Sequence, residues 1–200
     1  MIRIIKSREP SEWIERKNTP GYSYESDPAL RGSLLAEQGY ICAYCMNRID
    51  TANSKIEHVK CRSRYPELAL TYANMVICCE GKTDNELHCD SSKSDKDIGF
   101  DLFSSFFVNT ISYRSKSGKI LSSNSQYDDE INNVLNLNQS TIQTNRLHVL
   151  NGVIDVLNKK KQEWGKGSIR QLLVKWQSKD RENKLNPYCG IVIWFLNKKL

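Results

Sequence analysis

Six of the seven cysteines and two of the three histidines of this 200-residue chain lie between positions 41 and 100. That crowding restricts the fold more than any other feature. The start, Met1 to Arg8, is basic but is followed by no apolar stretch of the kind a signal peptide carries, and a cytoplasmic location follows. In a reducing compartment an odd number of cysteines argues against a disulfide framework, and clustered thiols more often hold metal. No run approaches the ~20 apolar residues a membrane span requires, so no membrane association is expected.

Cys42-Ala43-Tyr44-Cys45 is a C-x-x-C knuckle. Two thiolates at this spacing face one metal from a single tight turn, and Zn²⁺ takes four such ligands in a tetrahedron. The second pair comes from Cys78, Cys79 and Cys89, with His88 as an outside candidate. Cys79 and Cys89 are favoured because they bracket one loop and leave Cys78 to pack as a small hydrophobe. A redox C-x-x-C of the thioredoxin type needs a surrounding βαβ pattern, which is absent. Cys61 and Cys189 are expected to be free and half-buried.

Residues 1–40 read as an arm. Ser11 caps a helix over "REPSEWIERK", and a second helix runs from Pro28 to Gly39. "KIEHVK" and "NMVICC" have strand character, and a helix opens at Asp90. "SYRSKSGKILSS" reads as a hairpin turning at Ser117-Gly118. Three helices follow. One runs from Asn138 to Trp164 with Leu147, Leu150, Ile154 and Leu157 on one face. The next carries Ile169, Leu172, Leu173 and Trp176. The last has Asn186 as cap and Pro187 at its first position.

Between the two cysteine pairs lie Glu57-His58 and then Asn74, and after them comes Cys89-Asp90-Ser91-Ser92-Lys93. A lone His is usually structural and a lone Asn usually a turn former. Alternation on a strand puts Glu57 and His58 on opposite faces. The order, however, resembles the HNH (ββα-metal) endonuclease pattern: C-x-x-C, E-H, Asn, Cys five residues later, then C-D-x-x-K. "LLAEQGYICAYC", "IEHVKCRSRYPELALTYANM", "HCDSSK" and "VLNLN" followed by Arg146 resemble the HNH subunit of Septu anti-phage systems, including those found beside retrons. This resemblance covers about residues 30–150.

The resemblance implies an α+β fold: a zinc-stapled ββα-metal finger with an N-terminal helical arm and a mainly helical C-terminal region. The segments are 1–40 (arm), 41–103 (nuclease core) and 104–200 (hairpin plus helices). It makes His58 the general base, Glu57 and Asp90 ligands of a divalent cation, and Asn74 the brace of the loop that orients the base. Lys93 becomes a phosphate contact, and Cys42, Cys45, Cys79 and Cys89 become the structural Zn²⁺ ligands. Two departures stand out. Asp90 replaces the usual third-motif His or Asn, and the loop between Cys79 and Cys89 is longer than the usual two residues. Two carboxylates are hard oxygen donors that favour Mg²⁺ or Mn²⁺. A His with an ordinary pKa near ~6.5 takes a proton at neutral pH.

The net charge of +6 is uneven: residues 138–200 carry twelve Lys/Arg against four Asp/Glu. That balance suits a nucleic-acid partner or, equally, a set of solvated helix faces. Lys60, Arg62 and Arg64 follow the base and are candidates to grip the strand beside the cut. Lys159-Lys160-Lys161 reads as a helix-end dipole partner. The apolar residues Ile191, Ile193, Trp194 and Phe195 suit either a core or a partner face. No Walker A pattern is present, so ATP use needs another chain. The Septu resemblance implies an ATPase subunit and, near retrons, a reverse transcriptase with its DNA–RNA product. Two other readings remain open: a stand-alone restriction-type HNH nuclease, and a non-catalytic zinc finger that binds nucleic acid or a partner protein.

Overall fold

The computed structural model describes residues 1–83, 85–159 and 165–200. Lys160, Lys161 and the expected end of the long helix at Trp164 lie outside the described residues. Strands β1 (Ser54–His58) and β2 (Met75–Cys79) pair antiparallel, with Ser54 opposite Cys79 and His58 opposite Met75. Every residue of β2 is buried, which explains why it reads as an uninterrupted apolar run rather than an alternating one. One side of β2 takes its hydrogen bonds from β1. On the other, the buried amide of Gln38 accepts from Ile77 N (2.7 Å) and donates to Ile77 O (2.9 Å). A side chain thus stands in for a third strand at Ile77.

Gln38 ends helix α2 (Pro28–Gln38). Asp27 caps that helix by accepting from Leu30 N, Pro28 occupies its first turn, and Gly39 closes it with a left-handed backbone (φ 65°). A preceding short helix, α1 (Ser11–Lys17), begins on Pro10 rather than on a Ser11 cap. The carbonyl of Pro10 accepts the first helical bond from Ile14, so Ser11 is already inside the helix.

The long loop between Cys79 and Cys89 is folded back on itself. Strands β3 (Lys82–Thr83) and β4 (Glu86–Leu87) pair antiparallel, and His88 N donates to Gly81 O at 2.8 Å. The extra residues are absorbed in this ribbon, and its two ends return to the same place. Helix α3 (Cys89–Lys93) follows at once, one residue before the expected opening at Asp90.

Beyond α3 the chain forms α4 (Ser105–Thr110), the hairpin β5 (Ile111–Tyr113) and β6 (Ile120–Ser122), α5 (Ser125–Asp129), α6 (Ser140–Lys159), α7 (Lys166–Gln177) and α8 (Cys189–Asn197). The architecture is therefore mixed α+β with small two-stranded sheets. The hairpin turns where expected, with Gly118 at φ 69°. On α6 the buried face is Ile142, Arg146, Leu150 and Val153, rotated from the expected one, and Leu147, Ile154 and Leu157 lie at its margin.

Asn186 and Pro187 do not start α8. Tyr188 N donates to Met46 O at 2.8 Å and Leu185 N to Gly39 O at 2.9 Å, so this stretch is tied to the first knuckle as irregular chain. The helix opens only at Cys189. Its Cys189 and Ile191 are buried, and Ile193, Trp194 and Phe195 are half-exposed. Cys61 and Cys189 are both buried, more deeply than expected. One apolar cluster draws on every part of the chain, from Met1 and Leu34 through Ile77 and Leu102 to Leu150 and Leu196. No helix among the described residues is long and apolar enough to cross a membrane.

Gly81 tests the folded-back loop. It has φ 75°, and a Cβ there would sit 2.5 Å from His88 O and 2.9 Å from the Ser91 side chain. Gly81→Ala is expected to destabilise by at least the ~1–2 kcal/mol that a left-handed backbone costs an L-residue. Urea denaturation beside the wild type measures this, and an unchanged midpoint would remove the requirement for glycine.

Candidate functional site

The Cys42–Cys45 knuckle is a tight turn closed by Cys42 N to Asn47 O (2.9 Å) and Met46 N to Cys42 O (3.1 Å). Ala43 N donates to Ile77 O (3.0 Å), which fixes the turn against β2. The ligand atoms of Cys42, Cys45, Cys79 and Cys89 all lie within 4.8 Å of one another, and all four residues are buried. Cys42 and Cys89 are 3.9 Å apart at sulfur, and Cys45 and Cys79 are 3.8 Å apart. A tetrahedron with metal–sulfur bonds of ~2.3 Å has edges of about 3.8 Å. The four sulfurs could therefore hold a metal such as zinc.

Cys78 is the next residue on β2 and stands outside this group. His88, the outside candidate, lies beside it: Nδ1 is 3.2 Å from Cys89 Sγ and Nε2 is 3.0 Å from Thr83 Oγ1. Arg146, fully buried on α6, adds a positive field at Cys45 and Cys89.

A second group of side chains lines an open cleft of about 730 Å³, formed by Lys55, Glu57, His58, Arg62, Asp90, Ser91 and neighbouring residues. Glu57 and His58 both reach it, although strand alternation sends them to opposite faces. His58 is the last residue of β1, and the cleft continues past it to Cys61, Arg62 and Ser63.

His58 Nε2 lies 2.9 Å from Ala69 O. A carbonyl oxygen only accepts, so Nε2 carries the proton and Nδ1 keeps its lone pair. Burial lowers the His58 pKa from its usual value, against the opposing pull of the Ala69 carbonyl. The ring is therefore neutral at pH 7. Tyr24 meets it edge-on, with centroids 4.5 Å apart.

Asn74 ends a 3₁₀ turn (Tyr72–Asn74) just before β2. Its Oδ1 accepts from Lys60 N (2.8 Å), and its Nδ2 donates to Lys60 O (3.0 Å) and Leu68 O (3.3 Å). This one amide closes both ends of the 60–68 segment, and Ala69, the residue that follows, holds His58.

The two carboxyls respond to each other. Burial, and then the hydrogen bond and charge of Asp90, push Glu57 up to about 8, against the Lys93 ammonium. Burial works to raise Asp90 as well, but Glu57 and Lys55 outweigh it and hold that carboxyl below its usual range. Two acidic groups lining one cleft are hard oxygen donors of the kind that could hold a divalent cation.

Lys93, expected to meet a phosphate, is instead fully buried. Its Nζ lies 2.9 Å from Glu57 Oε1 and 3.4 Å from His58 O. Helix α3 points it inward because an ammonium there compensates a buried carboxylate. Of the three basic residues after His58, Lys60 (3.7 Å) and Arg64 (3.0 Å) pair with Asp97. Arg62 lies over the Tyr24 ring (4.5 Å) and lines the cleft.

Sequence reasoning missed Lys55, which lies 2.6 Å from Asp90 Oδ2, and Tyr44, whose hydroxyl donates to Glu57 Oε1 at 3.0 Å. Lys55 was legible in part: it sits two residues before Glu57 and so shares its face of β1. Tyr44 carried no signal beyond its place inside the knuckle. The basic C-terminal third is partly consumed internally. Arg146 is buried, Lys179 donates to the carbonyls of Ala36 (2.7 Å) and Glu37 (3.1 Å) at the end of α2, and Lys184 pairs with Glu182.

No family model matches the chain. Over 104 residues it is 25% identical to "Retron Vc95 putative HNH endonuclease" of Vibrio cholerae serotype O1 biovar El Tor. The match covers 45% of this chain and 51% of that protein, so the chain spans about half the length of the curated relative it matches.

Asn74→Asp would keep the shape of the side chain but turn the Nδ2 donor into an acceptor facing the Lys60 and Leu68 carbonyls. A cost of about 1–3 kcal/mol is expected from leaving buried carbonyls without a donor. Faster amide exchange over residues 60–69, at unchanged exchange in α6, would confirm that Asn74 braces this loop. Equal exchange in both proteins would refute it.

Proposed function

We propose that this chain is a metal-dependent HNH endonuclease subunit of an anti-phage defence system that hydrolyses phosphodiester bonds in nucleic acid. The observation that carries the reading is the cleft. A histidine held through Nε2 by the Ala69 carbonyl, which leaves Nδ1 its lone pair, shares it with two carboxyls and an arginine. The motif order and the similarity to a retron HNH protein support the same reading.

In this reading His58 Nδ1 takes a proton from the attacking water. The new bond forms at phosphorus, the bond to the 3′ oxygen breaks in line, and a 5′ phosphate and, once a solvent water protonates the departing oxygen, a 3′ hydroxyl result. Ala69 O keeps the imidazole in its base tautomer throughout and stabilises the positive ring that forms. Glu57 and Asp90 would hold Mg²⁺ or Mn²⁺, whose contribution is to neutralise charge on the phosphate and the leaving oxygen. To do so, Asp90 would give up its Lys55 partner. Arg62, set over Tyr24 at the cleft, grips a phosphate of the bound strand. The four cysteines hold structural Zn²⁺, which takes no part in the chemistry. The resemblance to Septu subunits supports an ATPase partner, with the retron reverse transcriptase and its DNA–RNA product as further members of the assembly.

The test is cleavage of a DNA and RNA panel with Mg²⁺, Mn²⁺ or EDTA, by the subunit alone and by the subunit co-expressed with an ATPase partner. His58→Ala is expected to lower cutting by about 10²–10⁴-fold, the usual contribution of a general base. Its zinc content should match the wild type. An equally active His58→Ala protein would sink the mechanism. If zinc-loaded wild type binds nucleic acid yet cuts nothing under any condition, the chain is a binding finger.

The thiol cluster makes a separate prediction. The purified protein should contain about one zinc per chain, and Cys45→Ser should lose it and melt at a lower temperature, because metal-binding energy is folding energy in such sites. Elemental analysis together with a melting curve measures both, and full stability of the zinc-free variant would overturn the structural role.

A further inference from the structure

Glu57 is held from two directions by groups that belong to the thiol cluster's own supports. Tyr44 stands between Cys42 and Cys45 in the knuckle and is fully buried. Its hydroxyl donates to Glu57 Oε1 at 3.0 Å. Lys93 ends the helix that Cys89 begins, is equally buried, and reaches the same oxygen at 2.9 Å. One donor is therefore anchored by Cys42 and Cys45, and the other by Cys89. Two donors on one oxygen fix the group's plane and leave the second oxygen for the cleft that Glu57 lines together with Asp90.

We propose that Tyr44 is a positioning residue: its hydroxyl, together with Lys93, clamps Glu57 Oε1 so that the other oxygen faces the cleft as a cation ligand. The thiol cluster then does more than hold the fold. It sets the orientation of a carboxylate in a different site, as the groups around a metal site orient its ligands. A phenylalanine at this position would fill the same space and support the same knuckle, so the hydroxyl is needed for Glu57 and not for the turn. The inference rests on the reading of Glu57 as a cation ligand.

The experiment titrates Mn²⁺ alone into the zinc-loaded full chain, with free Mn²⁺ followed by electron paramagnetic resonance. Wild type, Tyr44→Phe, Glu57→Gln and the double variant are compared. Loss of one hydrogen bond to a charged group predicts about tenfold weaker Mn²⁺ binding by Tyr44→Phe, at unchanged zinc content. In the Glu57→Gln background the same change should have no further effect. Cleavage by Tyr44→Phe should fall at low Mn²⁺ and recover at high Mn²⁺. Wild-type affinity in zinc-loaded Tyr44→Phe would overturn the clamp. Loss of zinc from Tyr44→Phe would also overturn it, making the hydroxyl part of the fold. A Glu57→Gln protein that binds Mn²⁺ as tightly as wild type would instead remove the reading of Glu57 as a ligand, and the clamp with it.

Discussion

Four buried cysteine sulfurs within 4.8 Å of one another are the constraint on which the site depends. Without a shared metal, thiols so placed gain only weak contacts. With one, they join the Cys42–Cys45 turn, the end of β2 and the start of α3 at a single point. The surrounding elements are short. β1 and β2 have five residues each and α3 has five, too few for a helix or hairpin to persist without outside support. The Gln38 amide on β2, the bond from Tyr188 to Met46 beside the knuckle and the bond from Leu185 to Gly39 at the end of α2 add to that support from distant parts of the chain.

Two charge problems are solved around this point. Glu57 is buried on β1, and a buried carboxylate needs partners. Lys93 and Tyr44 supply them at Oε1, against the opposing charge of Asp90, and Lys93 is lost as a surface cation. His58 is also buried, and burial keeps it neutral while the Ala69 carbonyl chooses its tautomer. A histidine, two carboxyls and an arginine then open on one cleft. The loop carrying Arg62 is held at its ends by one side chain, Asn74.

The site residues were more legible than their partners. Cysteine spacing and motif order pointed to Cys42, Cys45, Cys79 and Cys89, and the structure brings those four sulfurs together. The long loop after Cys79 left the choice between Cys78 and Cys79 open; the β3–β4 ribbon folds that loop back and Cys79 faces the group. Lys93 was assigned to a phosphate by the motif resemblance alone, which says nothing about which way the last residue of a five-residue helix points, and it points inward. The face of α6 was misplaced for a related reason. Apolar residues alone located it, whereas Arg146 sits at its buried centre.

The sequence by itself determined the local grammar: the knuckle spacing, the two strands, Pro28 and Gly39 as the ends of α2, and the glycine turn of the β5–β6 hairpin. These are set by covalent geometry and by contacts a few residues apart. Only the tertiary structure decided that Tyr44 and Lys93 meet on one oxygen of Glu57, that Lys55 faces Asp90, and that the chain after Leu185 stays irregular to serve the knuckle. Those choices come from burying charges and backbone groups that must find partners, and the partners lie dozens of residues away, where no sequence period can point to them.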